Sequence, residues 1–584
     1  MSLLEVNGLT IRYGDTHAVR DLSFAVDSGE SVGLVGESGS GKTQTALAIL
    51  GLLPTNAATA GSVTLAGTQL LGAGEKQLNS VRARSVAMVF QDPMQALNPF
   101  TRIGQQLGRI LLQHKLATAV HARTRVIEML ERVGLPDPAR QYHAYPHQLS
   151  GGMRQRAMIA SALIAEPELL IADEPTTALD VTVQAQILQL LAEIRKDTAL
   201  LLITHDLGVV AGHCERMLVV ADGRLIEQGT TREVFARPQH EHTMRLLAAA
   251  PRLDRADIPG GTVGDTVLRI SAASVIYADR GYEPLQAVRD VDLTVRAGET
   301  VAIVGESGSG KSSLVRAALG LVPMHAGRVV FCGAELAGLV HRRKKDVRRG
   351  LQLVFQDPAG SLNPQMRVAS IVAEPLLVHE PDIDIEARQE RVVAMLEKVG
   401  LGMDYLRRYP HELSGGQAQR VAIARALILR PKVLVCDEAV AALDGTVREQ
   451  ILALLRDVQA EAGLSIVFIT HDLSVVRAIS HRVLVMYLGS LVELADNAVL
   501  FANARHPYTR ALLQAVPVPD PEHAGGKATL AGETPSALNP PTGCAFHPRC
   551  EHARDVCRAE PPKQRNIGGA TVACHRVEEI KNGH

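Results

Sequence analysis

Two stretches of the chain are nearly identical: GESGSGKT at residues 36–43 and GESGSGKS at residues 305–312. Each follows a run of apolar, β-forming residues, SVGLVG or TVAIVG, and has the pattern GxxxxGK followed by Thr or Ser. Glycines let the backbone N–H groups of such a loop turn inward, and the helix that follows presents its positive end to an anion. The pattern predicts two strand–loop–helix units that bind phosphate groups.

The rest of the chain repeats around these loops. VFQDP, a YPHxLSGG segment, an apolar strand ending in Asp-Glu and an ITHD segment each occur twice, in the same order and at a nearly constant separation. Such landmarks indicate two copies of one domain rather than a short-period solenoid. Within each copy, the order of strand, loop, helix, mixed middle and apolar strands predicts an α/β fold with a mostly parallel central sheet.

Composition divides the 584 residues into four segments. We predict a first domain at residues 1–250, a linker at 251–266, a second domain at 267–515 and a tail at 516–584. The linker and the start of the tail are rich in Pro and Gly, which is typical of flexible connections. The basic run HRRKKDVRR at residues 341–349 is better explained as a solvated helix face than as an RNA site.

Charge and hydropathy exclude several classes of function. The chain has 61 basic and 62 acidic residues, so no global field attracts nucleic acid or anionic lipid. No apolar run reaches the ~18 residues that cross a bilayer, and the amino terminus lacks a signal segment. We therefore expect a soluble chain with no nucleic-acid partner, and a membrane role only through another protein.

The polar residues of the two loops suit a nucleotide site. Lys42 and Lys311 would reach the β- and γ-phosphates, and the hydroxyls of Thr43 and Ser312 would ligate Mg²⁺. ATP and Mg²⁺ are therefore the predicted ligands. The other loop residues expected to contact ATP are Gly36, Ser38, Gly39, Ser40, Gly41, Gly305, Ser307, Gly308, Ser309 and Gly310.

Two carboxylates follow each of the apolar strands LLIA and VLVC. Asp173 and Asp437 stand at the strand ends, where a carboxylate can bind the Mg²⁺ shell. Glu174 and Glu438 come next and would orient or deprotonate the attacking water. Each copy also has a histidine in its ITHD segment, which we expect to contact the γ-phosphate. The predicted catalytic residues are Glu174, His205, Glu438 and His471.

These motifs, in this order, resemble the ATPase subunits of ABC transporters. The resemblance covers nearly all of both copies, and LSGG segments are highly specific to this family. It implies a head-to-tail sandwich with two ATP molecules at the interface. Ser150, Gly151 and Gly152 would close over the site built on Lys311, and Ser414, Gly415 and Gly416 over the site built on Lys42.

The same resemblance assigns further positions. Gln91 and Gln356 match the Q-loop glutamines, which touch Mg²⁺ and relay closure to the membrane partner. Asp180 and Asp444 match the D-loop. Tyr13 looks like the aromatic residue that stacks on adenine, and in the second copy either Tyr277 or Tyr282 fits that role. The second copy has DEAVAALD where the first has DEPTTALD. We expect both sites to be competent, while a slower or asymmetric second site stays open.

Finer features resemble the peptide/nickel importer branch. They are QDPMQALNP and QDPAGSLNP, the YPH segments before LSGG, HPYTRALL at residues 506–513, and a cysteine-bearing carboxyl terminus. The resemblance implies import of di- or oligopeptides. It also implies two transmembrane permease subunits, an extracytoplasmic solute-binding protein, and a location on the cytoplasmic face of the bacterial inner membrane.

Four of the seven cysteines crowd into the tail: Cys544, Cys550, Cys557 and Cys574. Four thiolates suit a [4Fe–4S] cluster, and the family resemblance points the same way. Zinc remains an alternative, although C-x2–4-C pairs are absent and His547, His552 or His575 would then serve as ligands. A tail without metal is the third possibility. Because few apolar residues surround the cysteines, we expect the segment to require its metal for order.

Two rival functions share parts of this pattern. A soluble tandem ATPase acting on ribosomes also carries two copies, but usually with a long, charged, helical linker, which residues 251–266 do not resemble. A DNA-repair ATPase would have zinc modules or a coiled coil inserted within the domains. The sequence favours the importer over both.

Overall fold

The computed structural model describes residues 2–37, 39–176, 179–194, 198–250, 253, 263–278, 283–336, 341–440, 443, 445–523, 530 and 532–580. It divides into two compact units. Unit 1 comprises Met1–Leu179, Val183–Ala250 and Pro517–Lys527, and unit 2 comprises Asp180–Thr182, Pro251–Val516 and Ala528–His584. Most of the predicted linker, residues 251–252 and 254–262, lies outside the described part.

Unit 1 contains two sheets. An antiparallel sheet has four strands, in the order Thr16–Asp27, Ser2–Tyr13, Ala57–Leu65 and Thr68–Gln69. The central sheet has six strands, in the order Arg224–Thr230, Arg216–Ala221, Ser31–Val35, Ala199–Thr204, Leu169–Asp173 and Val86–Val89. Its last five strands are parallel, as predicted. They consist mainly of apolar residues, as expected for a sheet covered on both faces.

The helices of unit 1 cover both faces of the central sheet. One apolar core lies between this sheet and the antiparallel sheet, and a second lies under the helices of the middle region, where Leu107, Val126 and Ile159 are fully buried. The helices are Lys42–Ile49, Glu75–Val81, Pro93–Ala96, Ile103–Gln113, Ala119–Arg132, Pro138–Gln141, Gly151–Leu163, Val181–Ile194, Leu207–His213, Thr231–Ala236 and Glu241–Ala248, with a 3-10 turn at Pro146–Gln148.

Unit 2 repeats this plan and enlarges it. Its antiparallel sheet has the order Leu285–Arg296, Thr266–Tyr277, Ala326–Phe331 and Ala334–Glu335. Its central sheet has eight strands: Leu351–Val354, Val433–Asp437, Ser465–Ile469, Thr300–Val304, Arg482–Tyr487, Ser490–Asp496, Ala570–Val572 and Arg565–Ile567. The first five are parallel. The last two belong to the tail, which adds a hairpin to the sheet edge.

The helices of unit 2 follow the same order as those of unit 1. They are Lys311–Ala318, His341–Gly350, Pro358–Ser361, Val368–His379, Ile385–Lys398, Gly415–Leu427, Gly445–Ala462, Leu473–Ile479, Asn497–Asn503, Pro507–Ala515 and Asp555–Ala559, with 3-10 turns at Met403–Arg407, Pro410–Glu412 and His547–Arg549. The basic run is helical, with Arg348 exposed. Among the described residues, no helix is long and apolar enough to span a membrane.

The tail does have an apolar core, contrary to expectation. Phe546, Ala570 and Val572 are buried in one cluster with Tyr487 and Tyr508. The tail's own segment is short of apolar residues, but residues far earlier in the chain supply the rest of the core. The number of apolar residues near the cysteines in the sequence therefore did not indicate this packing.

Candidate active sites

Both phosphate loops have the backbone that their glycines allow. Gly41 and Gly310 have φ values of 93° and 96°, in the left-handed region, and each immediately precedes a helix. A Cβ at Gly41 would lie 2.4 Å from the carbonyl oxygen of Ala18, and one at Gly310 would lie 2.3 Å from that of Ala287. No other residue type fits these positions. Each loop thus leads its backbone N–H groups into the first turn of a helix.

The two lysines are buried and held by carbonyl groups of their own loops. Lys42 Nζ donates to the carbonyl oxygens of Gly36 and Glu37, both at 2.8 Å. In the second loop, Lys311 Nζ donates in the same way to the two residues at the loop's start, at 2.8 and 2.9 Å. Burial lowers the pKa of Lys311, although neighbouring carboxylates oppose this. Hydrogen bonds to the backbone therefore fix the position of each ammonium group.

A hydroxyl and a carboxylate meet beside each lysine. Ser312 Oγ donates to Asp437 Oδ1 at 2.8 Å, and the Thr43 hydroxyl acts on Asp173 by lowering the pKa of its carboxyl group. Burial raises the pKa of both aspartates. Paired hydroxyl and carboxylate oxygens next to a phosphate loop fit Mg²⁺, a hard cation that prefers oxygen ligands.

Unit 1 brings three predicted residues together around one carboxylate. Gln91 Nε2 donates to Glu174 Oε2 at 2.8 Å, and His205 Nδ1 lies 3.0 Å from Glu174 Oε1. Glu174 has a φ of 45°, which is unfavourable for a residue with a side chain. Strain of this kind concentrates at functional sites. The turn after the strand thus aims Glu174 at its two partners.

Unit 2 repeats this triad. Gln356 Nε2 donates to Glu438 Oε2 at 2.7 Å, His471 Nδ1 lies 3.6 Å from Glu438 Oε1, and Glu438 has a φ of 50°. Pairing with His471 lowers the pKa of Glu438. Burial depresses the pKa of His471, but the same pairing outweighs it and raises the value. Glu438 is therefore ionised at neutral pH, as a general base requires.

The LSGG segments each begin a helix. Ser150 Oγ accepts a hydrogen bond from the Met153 amide at 3.2 Å, and Ser414 Oγ accepts one from the Gln417 amide at 3.3 Å. These serines and the first glycine of each segment are exposed. An exposed helix start with glycine backbone N–H groups is suited to an anion.

Comparison with known families decides the identity. A profile described as ABC transporter matches residues 19–177 and 288–441, more than half of the chain. A second, described as the oligopeptide/dipeptide transporter C-terminal region, matches residues 226–274 and 492–557. The chain belongs to the ABC transporter family. It carries two fused ATP-binding domains of the oligopeptide/dipeptide branch, as the sequence predicted.

Individual relatives cover almost the whole chain. The peptidoglycan transport ATP-binding protein YejF of Agrobacterium fabrum is 46% identical over 88% of this chain and 96% of its own length. The glutathione import ATP-binding protein GsiA of Pectobacterium atrosepticum is 41% identical over 92% and 93%. The solved ABC cassette MJ0796, a dimer bound to ADP and phosphate, is 30% identical, covers 39% of this chain and 98% of its own, and has a TM-score of 0.37. This ABC chain is an ATPase.

The remaining predicted residues of the ABC sites have mixed outcomes. The Tyr13 hydroxyl donates to Gln44 at 2.6 Å and the Tyr277 hydroxyl to Ser313 at 3.2 Å, so both tyrosines stand beside the helix that follows a phosphate loop. Within unit 2, Asp180 accepts a hydrogen bond from the Ser307 amide at 2.7 Å. Ser38, Tyr282 and Asp444 lie outside the described residues.

The four tail cysteines come together within unit 2. All four line one small cavity with His547, His552 and His575. Burial raises the pKa of the Cys544 and Cys550 thiols to about 11, and the charges of Cys557 and Cys574 add to the effect. In the described part of the chain, no group of three or more His, Cys, Asp or Glu residues is placed to hold a metal ion.

Sequence reasoning missed two residues of the second site. Glu306, inside the phosphate loop, is 2% exposed and is paired with Arg549 of the tail. Arg316 lies 3.6 Å from Asp437, at a position where the first copy has Leu47. A charged residue one turn into the helix was visible in the sequence, but the partner of Glu306 lies far along the chain and gave no local signal.

Proposed function

We propose that this ATPase energises the import of di- or oligopeptides. The observation that carries the proposal is the duplicated Gln–Glu–His triad beside a phosphate loop, in a chain that carries the oligopeptide/dipeptide C-terminal region. The names of the relatives support a short-peptide solute, since glutathione is a tripeptide and peptidoglycan contains peptides. The same names favour the importer over a ribosomal or DNA-repair ATPase.

The proposed chemistry uses the same steps in each copy. The loop N–H groups and Lys42 or Lys311 bind the β- and γ-phosphates. Glu174 or Glu438 orients a water and accepts its proton as the water oxygen attacks the γ-phosphorus, and the bond to the β-phosphate oxygen breaks to release ADP. The paired histidine holds the carboxylate and contacts the γ-phosphate. Thr43, Gln91 and Asp173, or Ser312, Gln356 and Asp437, would hold Mg²⁺, whose charge would offset that of the phosphates.

The proposed partners follow from the family. Each ATP would lie between one copy's phosphate loop and the other copy's LSGG segment, so that hydrolysis requires closure of the two copies. Two permease subunits at the cytoplasmic face of the membrane would bias that closure, and an extracytoplasmic binding protein would deliver the solute. The exposed starts of the LSGG helices support this arrangement.

Coupling is the test of this function. ATPase activity should be slow for the isolated chain and faster for the chain assembled with its permeases in vesicles, and highest with binding protein and a labelled tripeptide. Uptake of the tripeptide should require ATP. Equal rates for free and assembled chain with all partners present would refute coupling. Co-purification with ribosomes instead of two polytopic membrane proteins would favour the rival function.

We further propose that the four tail thiols hold a [4Fe–4S] cluster. The support is the donor set: Cys544, Cys550, Cys557 and Cys574 line one cavity, and cysteine thiolates are the usual ligands of such clusters. The cluster would have a structural or docking role, because the proposed ATP chemistry does not involve it. The neighbouring histidines keep zinc as the alternative.

Metal analysis separates these alternatives. Anaerobically purified protein should be brown, with broad absorbance near ~400 nm and about four irons per chain. One zinc without iron would replace the cluster but retain the site. Free alkylation of all four thiols in the native protein, with neither metal present, would refute a metal site.

A further inference from the structure

The second phosphate loop is held by the carboxyl-terminal region through a single residue, Glu306. Its backbone carbonyl accepts a hydrogen bond from Lys311 Nζ at 2.9 Å. Its backbone amide donates to the hydroxyl of Tyr508 at 2.9 Å, and Tyr508 belongs to the helix Pro507–Ala515 of the oligopeptide-type segment. Glu306 therefore lies between the predicted phosphate-binding lysine and the region that distinguishes this branch.

The side chain of Glu306 is bound by the tail. Arg549 Nη1 donates to Glu306 Oε2 at 2.7 Å, and the side chains of the two residues are 3% and 2% exposed. Thr534 Oγ1 also donates to this oxygen at 2.7 Å, and the Thr182 hydroxyl donates to the other. Arg549 itself immediately precedes Cys550. The cysteine-bearing segment thus supplies the cation for a carboxylate in the phosphate loop.

Aromatic packing fixes Arg549 in this position. Phe546, three residues before it, lies with its ring 5.3 Å from that of Tyr487 and 5.4 Å from that of Tyr508. The rings of Tyr487 and Tyr508 are 4.7 Å apart, and both side chains are fully buried. The tail is therefore anchored at the point where its arginine meets the loop.

Net stability does not explain this ion pair. A buried pair is often no more stable than an apolar pair of the same volume, because both charges lose their hydration. What the pair does provide is a fixed position for Glu306, and hence for the carbonyl group that holds Lys311. Its contribution to the ATP site is geometric.

We propose that Arg549 is a positioning residue for the second ATP site and acts through Glu306, so that the tail controls nucleotide affinity at Lys311. The inference rests on the proposed role of that loop. The first loop differs at one of eight residues, but it lies in unit 1, whereas Arg549 belongs to unit 2. The effect of Arg549 is therefore specific to the second site.

The test uses full-length chain and trinitrophenyl-ATP as the fluorescent probe. In a Lys42→Ala background, where binding reports the second loop, Arg549→Met should weaken probe affinity by about tenfold, the effect of losing a charged hydrogen bond. In a Lys311→Ala background it should change nothing. Arg554→Met, an exposed arginine of the same tail, is the matched control and should bind normally in both.

Two further variants separate positioning from misfolding. Arg549→Met leaves a buried carboxylate without its cation, so adding Glu306→Gln should restore part of the affinity. Arg549→Lys keeps the charge but not the planar fork and should show an intermediate loss. Unchanged affinity in Arg549→Met, equal loss in both backgrounds, or no rescue by Glu306→Gln would each overturn the inference. Absence of probe binding in Lys42→Ala with an intact tail would instead refute the second ATP site itself.

Discussion

The two phosphate loops share seven of eight residues but lie in different surroundings. The distances from each lysine Nζ to the two loop carbonyl oxygens agree within 0.1 Å between the copies. In each copy a glutamine and a histidine lie against the equivalent glutamate, Glu174 or Glu438. Around this shared centre, Glu37 is half-buried, whereas Glu306 is 2% exposed and tied to the tail. The central sheets have six and eight strands. The groups that would contact ATP thus have the same arrangement in both copies, whereas the residues that pack around the two phosphate loops differ.

The largest expected effect tests whether the two centres are chemically alike. Changing both Glu174 and Glu438 to Gln should lower turnover by ~10²–10⁴, because the amide cannot accept the water's proton. Nucleotide binding should remain intact, since neither residue is a predicted phosphate ligand. The measurement is ATPase activity of the chain assembled with its permeases.

The single variants sharpen this comparison. Equal losses in Glu174→Gln and Glu438→Gln would show two equivalent centres despite the DEAVAALD segment of the second copy. A much smaller loss of turnover in Glu438→Gln than in Glu174→Gln would show that the second centre already hydrolyses ATP slowly in the native protein. Unchanged turnover in the double variant would contradict the assignment of both glutamates.

The next effect concerns binding rather than chemistry. Lys42→Ala and Lys311→Ala should each weaken nucleotide affinity at their own site by about 10- to 100-fold, the loss of a charged hydrogen bond to phosphate. Equilibrium binding of a fluorescent ATP analogue measures this loss and distinguishes the lysines from the glutamates. If either alanine variant bound two nucleotides with native affinity, the corresponding loop would not be a phosphate site.

Much of the fold and site was predictable because the decisive signals are local. Glycine spacing dictates the loop, apolar runs of four to six residues dictate the parallel strands, and Glu174 follows its strand directly. Repetition of each motif made these signals stronger. Parallel strands also place their carboxyl ends at one edge of the sheet, and Glu174 and His205, which follow two neighbouring strands, meet there.

The remainder depends on contacts between distant residues. Arg549 and Glu306 are separated by most of the second copy, and nothing near either residue indicates its partner. The tail hairpin is only three residues per strand, and it is ordered by pairing with Ser490–Asp496 rather than by its own propensity. The four-cysteine convergence was predicted, but its apolar support was not, because that support comes from Tyr487 and Tyr508.

A smaller difference lies behind the two glutamates. Gln155 and Gln419 occupy equivalent places in the helices after LSGG and are both buried. Gln155 Nε2 donates to the carbonyl oxygen of Pro175 at 2.5 Å, whereas Gln419 Nε2 has no hydrogen-bond partner among the residues that the structure describes. Pro175 belongs to the segment in which the second copy lost Pro-Thr.

Methionine substitutions should therefore differ between the copies. Gln155→Met should destabilise the protein by about 1–2 kcal/mol, because a buried carbonyl loses its donor. Gln419→Met should cost less than about 0.5 kcal/mol, since methionine fills the same volume and no bond is lost. Calorimetric unfolding of the two variants measures the difference. A larger loss of stability in Gln419→Met would show that its amide has a partner after all.

The smallest expected effect concerns the magnesium site of the second copy. Arg316 Nη2 lies 3.6 Å from Asp437 Oδ2, and its side chain is 44% exposed. A guanidinium group at this position repels Mg²⁺, but solvent screens its charge. Arg316→Leu restores the first copy's residue and should therefore strengthen Mg²⁺-dependent nucleotide binding by only about two- to threefold.

Magnesium titration of a fluorescent ATP analogue in the Lys42→Ala background measures this change. Arg316→Lys keeps a cation and is the control. Magnesium-dependent binding as strong in the lysine variant as in the leucine variant would contradict a purely electrostatic effect, because the hydrogen-bonding geometry of the guanidinium, and not its charge, would then be what matters.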